Sequence, residues 1–147
     1  NVMPGLQVVE RAFGILEIHS DDQGDVRRAG EDILMAIDQT EDNRIKPKIL
    51  TSQLVKNLTD HHCQMINRTR YGQMLIRGDT LYILEVESAG YAYFAANEAE
   101  KASHIKIVDV KGIGKFGRVY IAGDEADVVE AKLCIEDKLA GISGRDI

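Results

Sequence analysis

Residues 107–125 read IVDVKGIGKFGRVYIAGDE, with a G-x-G-x-x-G pattern at Gly112, Gly114 and Gly117 behind a strand-like run. A dinucleotide site with that fingerprint needs a helix straight after the glycines, because the phosphate rests on the free amides of the helix N-terminus. The glycines here lead instead into Arg118-Val119-Tyr120-Ile121-Ala122-Gly123, an alternating β-branched and aromatic run that predicts a second strand. Glycines between two strands mark a hairpin or wide turn, where positive φ is needed. The stretch reads as a β-hairpin.

The same pattern occurs earlier in the chain. LQVVERAFGILEIHSDDQGDVRRAGEDILMAI (6–37) lies alongside IKIVDVKGIGKFGRVYIAGDEADVVEAKLCIEDKLAGI (105–142). Each has a strand, a glycine-containing loop, a second strand, an acidic turn and an amphipathic helix. Asp25-Val26 matches Asp127-Val128, and Gly30-Glu31-Asp32-Ile33 lies opposite Lys132-Leu133-Cys134-Ile135. Val26, Ala29, Ile33 and Ile37 recur at helical spacing in one copy; Val128, Ala131, Ile135, Leu139 and Ile142 do so in the other. Both helices are expected to bury that stripe on a sheet. Asp22 and Asp124 stand where a carboxylate accepts the first helix amides. An internal duplication accounts for these matches.

Ahead of the second copy, KPKILTSQLV (46–55) and DTLYILEVES (79–88) predict strands, and NLTDHHCQMIN (57–67) predicts a short helix. AGYAYFAANEAEKASH (89–104) predicts a helix whose alanines let it lie close to a sheet or a neighbouring subunit. The first copy has no such upstream half. The fold class is therefore α/β (α+β), a mostly antiparallel sheet with helices against one face of the complete unit. Residues 1–40 are expected to be the C-terminal part of a truncated first domain, and residues 41–147 a second, complete one. The opening NVMPGLQVVE suggests a fragment. A missing half leaves sheet edges and apolar surface that must be covered.

Composition narrows the function. A net charge of −6 argues against a general nucleic-acid binder, and no apolar run approaches the ~20 residues that span a bilayer. Cys63 and Cys134 lack a C-x-x-C partner and read as free thiols in a reduced cytoplasmic setting. Cys134, near the apolar stripe, is expected to be a small buried hydrophobe. His61-His62-Cys63 puts three metal-capable side chains together, but adjacent helical residues diverge, so no metal is assigned. No nucleophile, base and orienter come together, so no enzyme activity and no cofactor are expected. Arg68, Arg70 and Lys115 suit phosphorylated metabolites or simply a solvated basic surface. Asn67-Arg68-Thr69 fits the glycosylation pattern, with no secretory signal to make it available.

FAANEAEKASHIKIVDVKGIGKFGR (94–118) and GDEADVVEAKLCIEDKLAGIS (123–143) resemble the bacterial microcompartment shell domain. QVVERAFG (7–14), RIKPKILTSQL (44–54) and MINRTRYGQMLIRGDTLYILEVE (65–87) resemble the carboxysome subgroup with two circularly permuted domains per chain. The resemblance runs essentially end to end. It implies a homotrimer whose six domains form a pseudohexameric tile, stacking in pairs and contacting other carboxysome shell proteins. It implies a large gated pore in a cytoplasmic microcompartment, passing metabolites such as ribulose bisphosphate and 3-phosphoglycerate. Matched residue by residue, the gating pair is Glu10 and Arg11, the second domain's pore loop is Lys111, Gly112, Ile113, Gly114 and Lys115, and the tile-edge lysine is Lys101. The alternative is a small phosphorylated-metabolite binding or sensing protein with an inter-subunit pocket.

Overall fold

The strands and helices expected from the apolar periodicity are present in the computed structural model, which describes residues 1–10 and 13–146. In chain order they are β1 (Met3–Glu10), β2 (Phe13–His19), α1 (Gln23–Ala36), β3 (Lys48–Val55) and α2 (Asp60–Asn67). Next come β4 (Thr80–Glu87), α3 (Tyr91–Ala102), β5 (Lys106–Lys111), β6 (Phe116–Gly123) and α4 (Glu125–Ala140). They divide into two units, Asn1–Lys46 with the tail from Ser143, and Pro47–Ile142.

In the second unit the four strands pair antiparallel in the order β3-β4-β6-β5. Strand alternation sends Tyr82, Leu84 and Val86 of β4 and Val119 and Ile121 of β6 to one face. There they meet Ala92, Ala95, Ala96 and Ala99 of α3 and Val128, Ala131, Ile135 and Leu139 of α4. The methyl side chains of α3 let its backbone come close to both sheet and α4. Each fully buried Leu, Ile or Val in this layer contributes about 1.5–3 kcal/mol over exposure. Within the layer, Ser52 Oγ donates to Glu136 Oε1 at 2.5 Å and lies 3.1 Å from the buried Tyr82 hydroxyl.

Helices were expected on one face only; α2 packs on the other. Leu81, Val108 and Ala122 point away from α3 and α4 and are covered by Leu58, Cys63 and Leu75. The reason lies in β4, which is apolar at successive positions rather than alternate ones. A central strand of that composition needs cover on both sides.

The outer strand β5 contains a bulge. Ile107 pairs with Ile121 and Asp109 with Tyr120, so Val108 is an extra residue opposite one partner step. Ile107 and Val110 face the α3–α4 layer, while Val108 packs beneath α2. The free edge of β5 is closed by residues 72 and 73, whose amides donate to the Val108 and Ile107 carbonyls at 2.8 Å. Only glycine fits at 72, because a Cβ there would collide with the Ile107 carbonyl.

The first unit holds the antiparallel β1–β2 pair and then α1, the element order of β5, β6 and α4. Asp22 caps α1 as expected, accepting from the Gly24 amide at 2.6 Å and the Asp25 amide at 3.3 Å. Asp124 also occupies the N-cap of α4, but its side chain accepts no cap hydrogen bond. Arg145 of the tail bonds the 44–46 segment, donating to the Arg44 carbonyl at 2.9 Å and accepting from the Lys46 amide at 3.0 Å.

Two expectations are corrected. The stripe of α1 is not buried: Ile33 is 38% exposed, Ile37 62% and neighbouring Met35 75%. No residue of α1 reaches the burial of its α4 counterparts, because this unit has no equivalent of β4 and α3. Cys134 is only half-buried, its Sγ 4.0 Å from the Glu98 carbonyl, and it is Cys63 that is enclosed.

Candidate functional site

The turn between β5 and β6 is shaped by its glycines. A Cβ on Gly112 would enter the Tyr93 ring, and one on Gly117 would strike the Ala89 carbonyl and the Ala92 methyl. Gly114 has φ +94°, in the region that favours glycine. The turn is thus pressed against the start of α3, with Ile113 at the exposed tip. A strand comes directly after the glycines, so no helix N-terminus is available for a phosphate, in agreement with the hairpin reading.

The charges of this turn are paired. Lys115 Nζ lies 3.2 Å from Glu87 Oε1 and 5.1 Å from the centre of the Phe116 ring. Arg118 donates from Nε to Glu85 Oε1 at 2.9 Å, and this hydrogen bond holds the guanidinium pKa above its usual value. Lys111 Nζ is 3.5 Å from Asp109 Oδ2. Glu85 and Glu87 were not singled out in the sequence; their signal was the period-two acid in LEVE, which the register sets opposite Arg118 and Phe116. Lys111 and Lys115 are about half exposed, while their partners Asp109 and Glu87 are buried.

At the matching end of the first unit, Glu10 closes β1 in register with Phe13. Arg11 and the side chain of Glu10 lie outside the described residues. Lys101 sits exposed in the last turn of α3, where a cation complements the helix dipole. It donates to Glu98 Oε1 at 2.8 Å, and that hydrogen bond is the main reason the Glu98 carboxyl titrates below its usual range. Within this pair Lys101 is well exposed and Glu98 is half-buried.

The other sequence candidates do not converge. His61 and His62 are exposed and line different cavities, while Cys63 points inward. Burial, then the charges of Asp79 and Asp60, push the Cys63 thiol up, which leaves it protonated and a poor nucleophile. No group of three His, Cys, Asp or Glu among the described residues is arranged to hold a metal. Arg70 is committed to Asn67 Oδ1 at 3.1 Å and the Gly72 carbonyl at 2.6 Å. Arg68 lines a separate cavity, and Lys115 lines neither. The three cations therefore form no common phosphate cradle within the chain.

Each unit carries an antiparallel strand pair followed by a helix, and an exposed lysine stands at the end of α3. Residues 1–43 match the family model of the CsoS1D N-terminal domain. Over 145 residues the chain is 48% identical to the carboxysome shell protein CcmP of Synechococcus elongatus, covering 99% of this chain and 68% of that one. The chain belongs to the carboxysome shell proteins of the CcmP and CsoS1D type. A carboxysome shell protein CsoS1D from Hydrogenovibrio crunogenus is 38% identical over 146 residues, covering 99% of this chain and 71% of its own length. Among solved structures, a double ringed trimeric shell protein of the RMM microcompartment is similar at a TM-score of 0.95 and 39% identity, over 99% of this chain and 72% of that one. A fused permuted hexameric shell protein of the same microcompartment gives 0.92 and 41%, over 99% and 71%. This carboxysome shell protein is a structural component of the shell rather than an enzyme, with the permuted shell-domain fold.

Proposed function

We propose that three copies of the chain form a flat pseudohexameric tile, able to stack face to face and to join other carboxysome shell proteins. Residues 1–40 are then the C-terminal part of one shell domain and residues 41–147 a second. The observation that carries this reading is the likeness to a double ringed trimeric shell protein at a TM-score of 0.95. The exposed stripe of α1 supports it, since Ile33 and Ile37 leave apolar surface that assembly can cover. Lys101, at the exposed end of α3, acts at the tile edge.

The β1–β2 and β5–β6 turns approach the central axis and frame a gated pore for small anions such as ribulose bisphosphate and 3-phosphoglycerate. Glu10 and Arg11 form the gate, and Lys111 to Lys115 form the second domain's share of the rim. Two arginines ~8 Å apart repel by about 0.5 kcal/mol at the dielectric of water and about 2 kcal/mol at an effective dielectric of 20. Three such pairs disfavour closure unless a carboxylate joins each guanidinium, which is the role assigned to Glu10. Exchanging which of the two neighbours faces inward then switches the gate. The test is flux of charged and neutral solutes through reconstituted tiles, for the wild type and Arg11→Ala, at two salt concentrations. The wild type is expected to prefer anions at low salt and to lose that preference in Arg11→Ala. Selectivity unchanged by the substitution removes Arg11 from the gate.

A further inference from the structure

Read along the chain, the β5–β6 hairpin is basic: residues 106–123 hold Lys106, Lys111, Lys115 and Arg118 against the single acid Asp109. The fold cancels that surplus. Lys106 Nζ lies 2.9 Å from Asp79 Oδ2, Lys111 Nζ 3.5 Å from Asp109 Oδ2, Lys115 Nζ 3.2 Å from Glu87 Oε1, and Arg118 Nη2 2.9 Å from Glu85 Oε1. In every pair the carboxylate is the less exposed partner. At the turn the contrast is largest: the lysine side chains are 56% and 49% exposed, those of Asp109 and Glu87 8% and 11%. Three of the four acids come from outside the hairpin, and strand register delivers two of them. Glu85 on β4 stands opposite Arg118, and Glu87 opposite Phe116, next to Lys115. Asp109 is delivered by the bulge. Strict alternation would place it with Ile107 in the α3–α4 core, whereas the extra residue Val108 turns it to the face of Lys111.

Half-exposed ion pairs add little to stability, so the effect of these pairs lies in the field they leave outside the protein. A carboxylate seated beneath a lysine cancels that lysine's potential beyond a few ångströms. Because the acid is out of water, salt screens the pair less than it screens an exposed one. The Lys115 ammonium is also held 5.1 Å from the centre of the Phe116 ring. A passing anion thus meets a lysine already matched to a fixed charge of its own chain. We propose that Glu87 and Asp109 are selectivity-determining residues: by neutralising Lys115 and Lys111 they leave the second domain's rim without net charge, so that preference among solutes is set by the first domain. The proposal rests on the pore reading above. It differs from a rim whose lysines attract anions directly, since here removing a carboxylate, not a lysine, creates anion preference.

The test measures flux of propionate against neutral propionamide through reconstituted tiles of the full chain, at two salt concentrations. The background is Arg11→Ala, in which anion preference is expected to be lost. Adding Glu87→Gln, nearly isosteric at its buried site, should restore a preference of about tenfold at low salt. Three uncompensated charges ~8 Å from a monovalent anion give that factor at the dielectric of water. The preference should shrink at the higher salt, because the freed lysine is exposed. A further Lys115→Met should abolish the gain, which a merely structural effect of Glu87→Gln would not allow. Should Glu87→Gln fail to assemble, Glu85→Gln is measured in its place; it frees Arg118, opposite Lys111, and should act in the same direction. If Arg11→Ala loses its preference and the assembled glutamine variant restores none, the proposal is overturned while the pore reading stands. If Arg11→Ala keeps its preference, the gate reading falls, and Glu87→Gln in the wild type decides: a rise in anion preference supports the proposal and an unchanged ratio overturns it.

Discussion

At Gly117 an added methyl would meet backbone, the Ala89 carbonyl, whereas at Gly114 the obstacle is an unfavourable φ of +94°. These are different penalties, and they predict different losses. Gly117→Ala should destabilise the chain by about 3 kcal/mol, as overpacking against immobile atoms does. Gly114→Ala should cost about 1 kcal/mol, the strain of a left-handed non-glycine residue. Urea midpoints at unchanged m-value would show both. Tyr82 offers a pH test. Burial is the main reason its hydroxyl is pushed up to about 12 from 10, with Glu136 adding to the rise and the Ser52 hydrogen bond opposing it. The folded state therefore keeps a proton that the unfolded chain releases above pH 10. Stability is fully present below pH 10 and lost between pH 10 and about 12, by about 2–3 kcal/mol for this residue alone. Tyr82→Phe should lack that portion of the alkaline decline; an identical decline in the two proteins would contradict the assignment.

Among the elements, α1 and α4 carry the same kind of stripe with opposite outcomes. Ile135 is fully buried and Ile33 is 38% exposed. Ile135→Ala is expected to cost about 2–5 kcal/mol, and Ile33→Ala under about 1 kcal/mol, in the folding of the isolated chain. Denaturant unfolding of the pair measures it. Periodicity reveals which side of a helix seeks burial, and on that basis both stripes, all six strands and the alanine face of α3 were legible. It does not reveal whether a cover exists, because the cover of α4 comes from β4 and α3, far away in sequence. The second layer under α2 was not anticipated, although the successive apolar residues Leu81 to Leu84 of DTLYILEVES carry its signal, since such a strand needs cover on both faces. The turning of Asp109 away from the core was not anticipated, although IKIVDVK breaks its alternation at the adjacent apolar residues Ile107 and Val108, where the bulge in the pairing with β6 sits. The loop glycines were legible as a hairpin because the run from Arg118 to Gly123 is plainly a strand.

For the whole molecule, family membership places the chain in the carboxysome shell, and no helix among the described residues is long and apolar enough to cross a membrane. Its exposed Met3, Leu6, Val9, Leu16, Met35 and Ile37 are a large share of apolar surface for one small unit. Burying such a patch between copies at ~25 cal/mol per Å² supplies a driving force for association. A tile also requires closed symmetry, since an open arrangement of the same contacts would grow without limit. The most direct measurement is the mass in solution of the chain by size-exclusion chromatography with light scattering, at micromolar concentration. The account predicts a discrete species of three times the 16.3 kDa chain mass, or six times if trimers stack. A monodisperse species at the chain mass itself would contradict it.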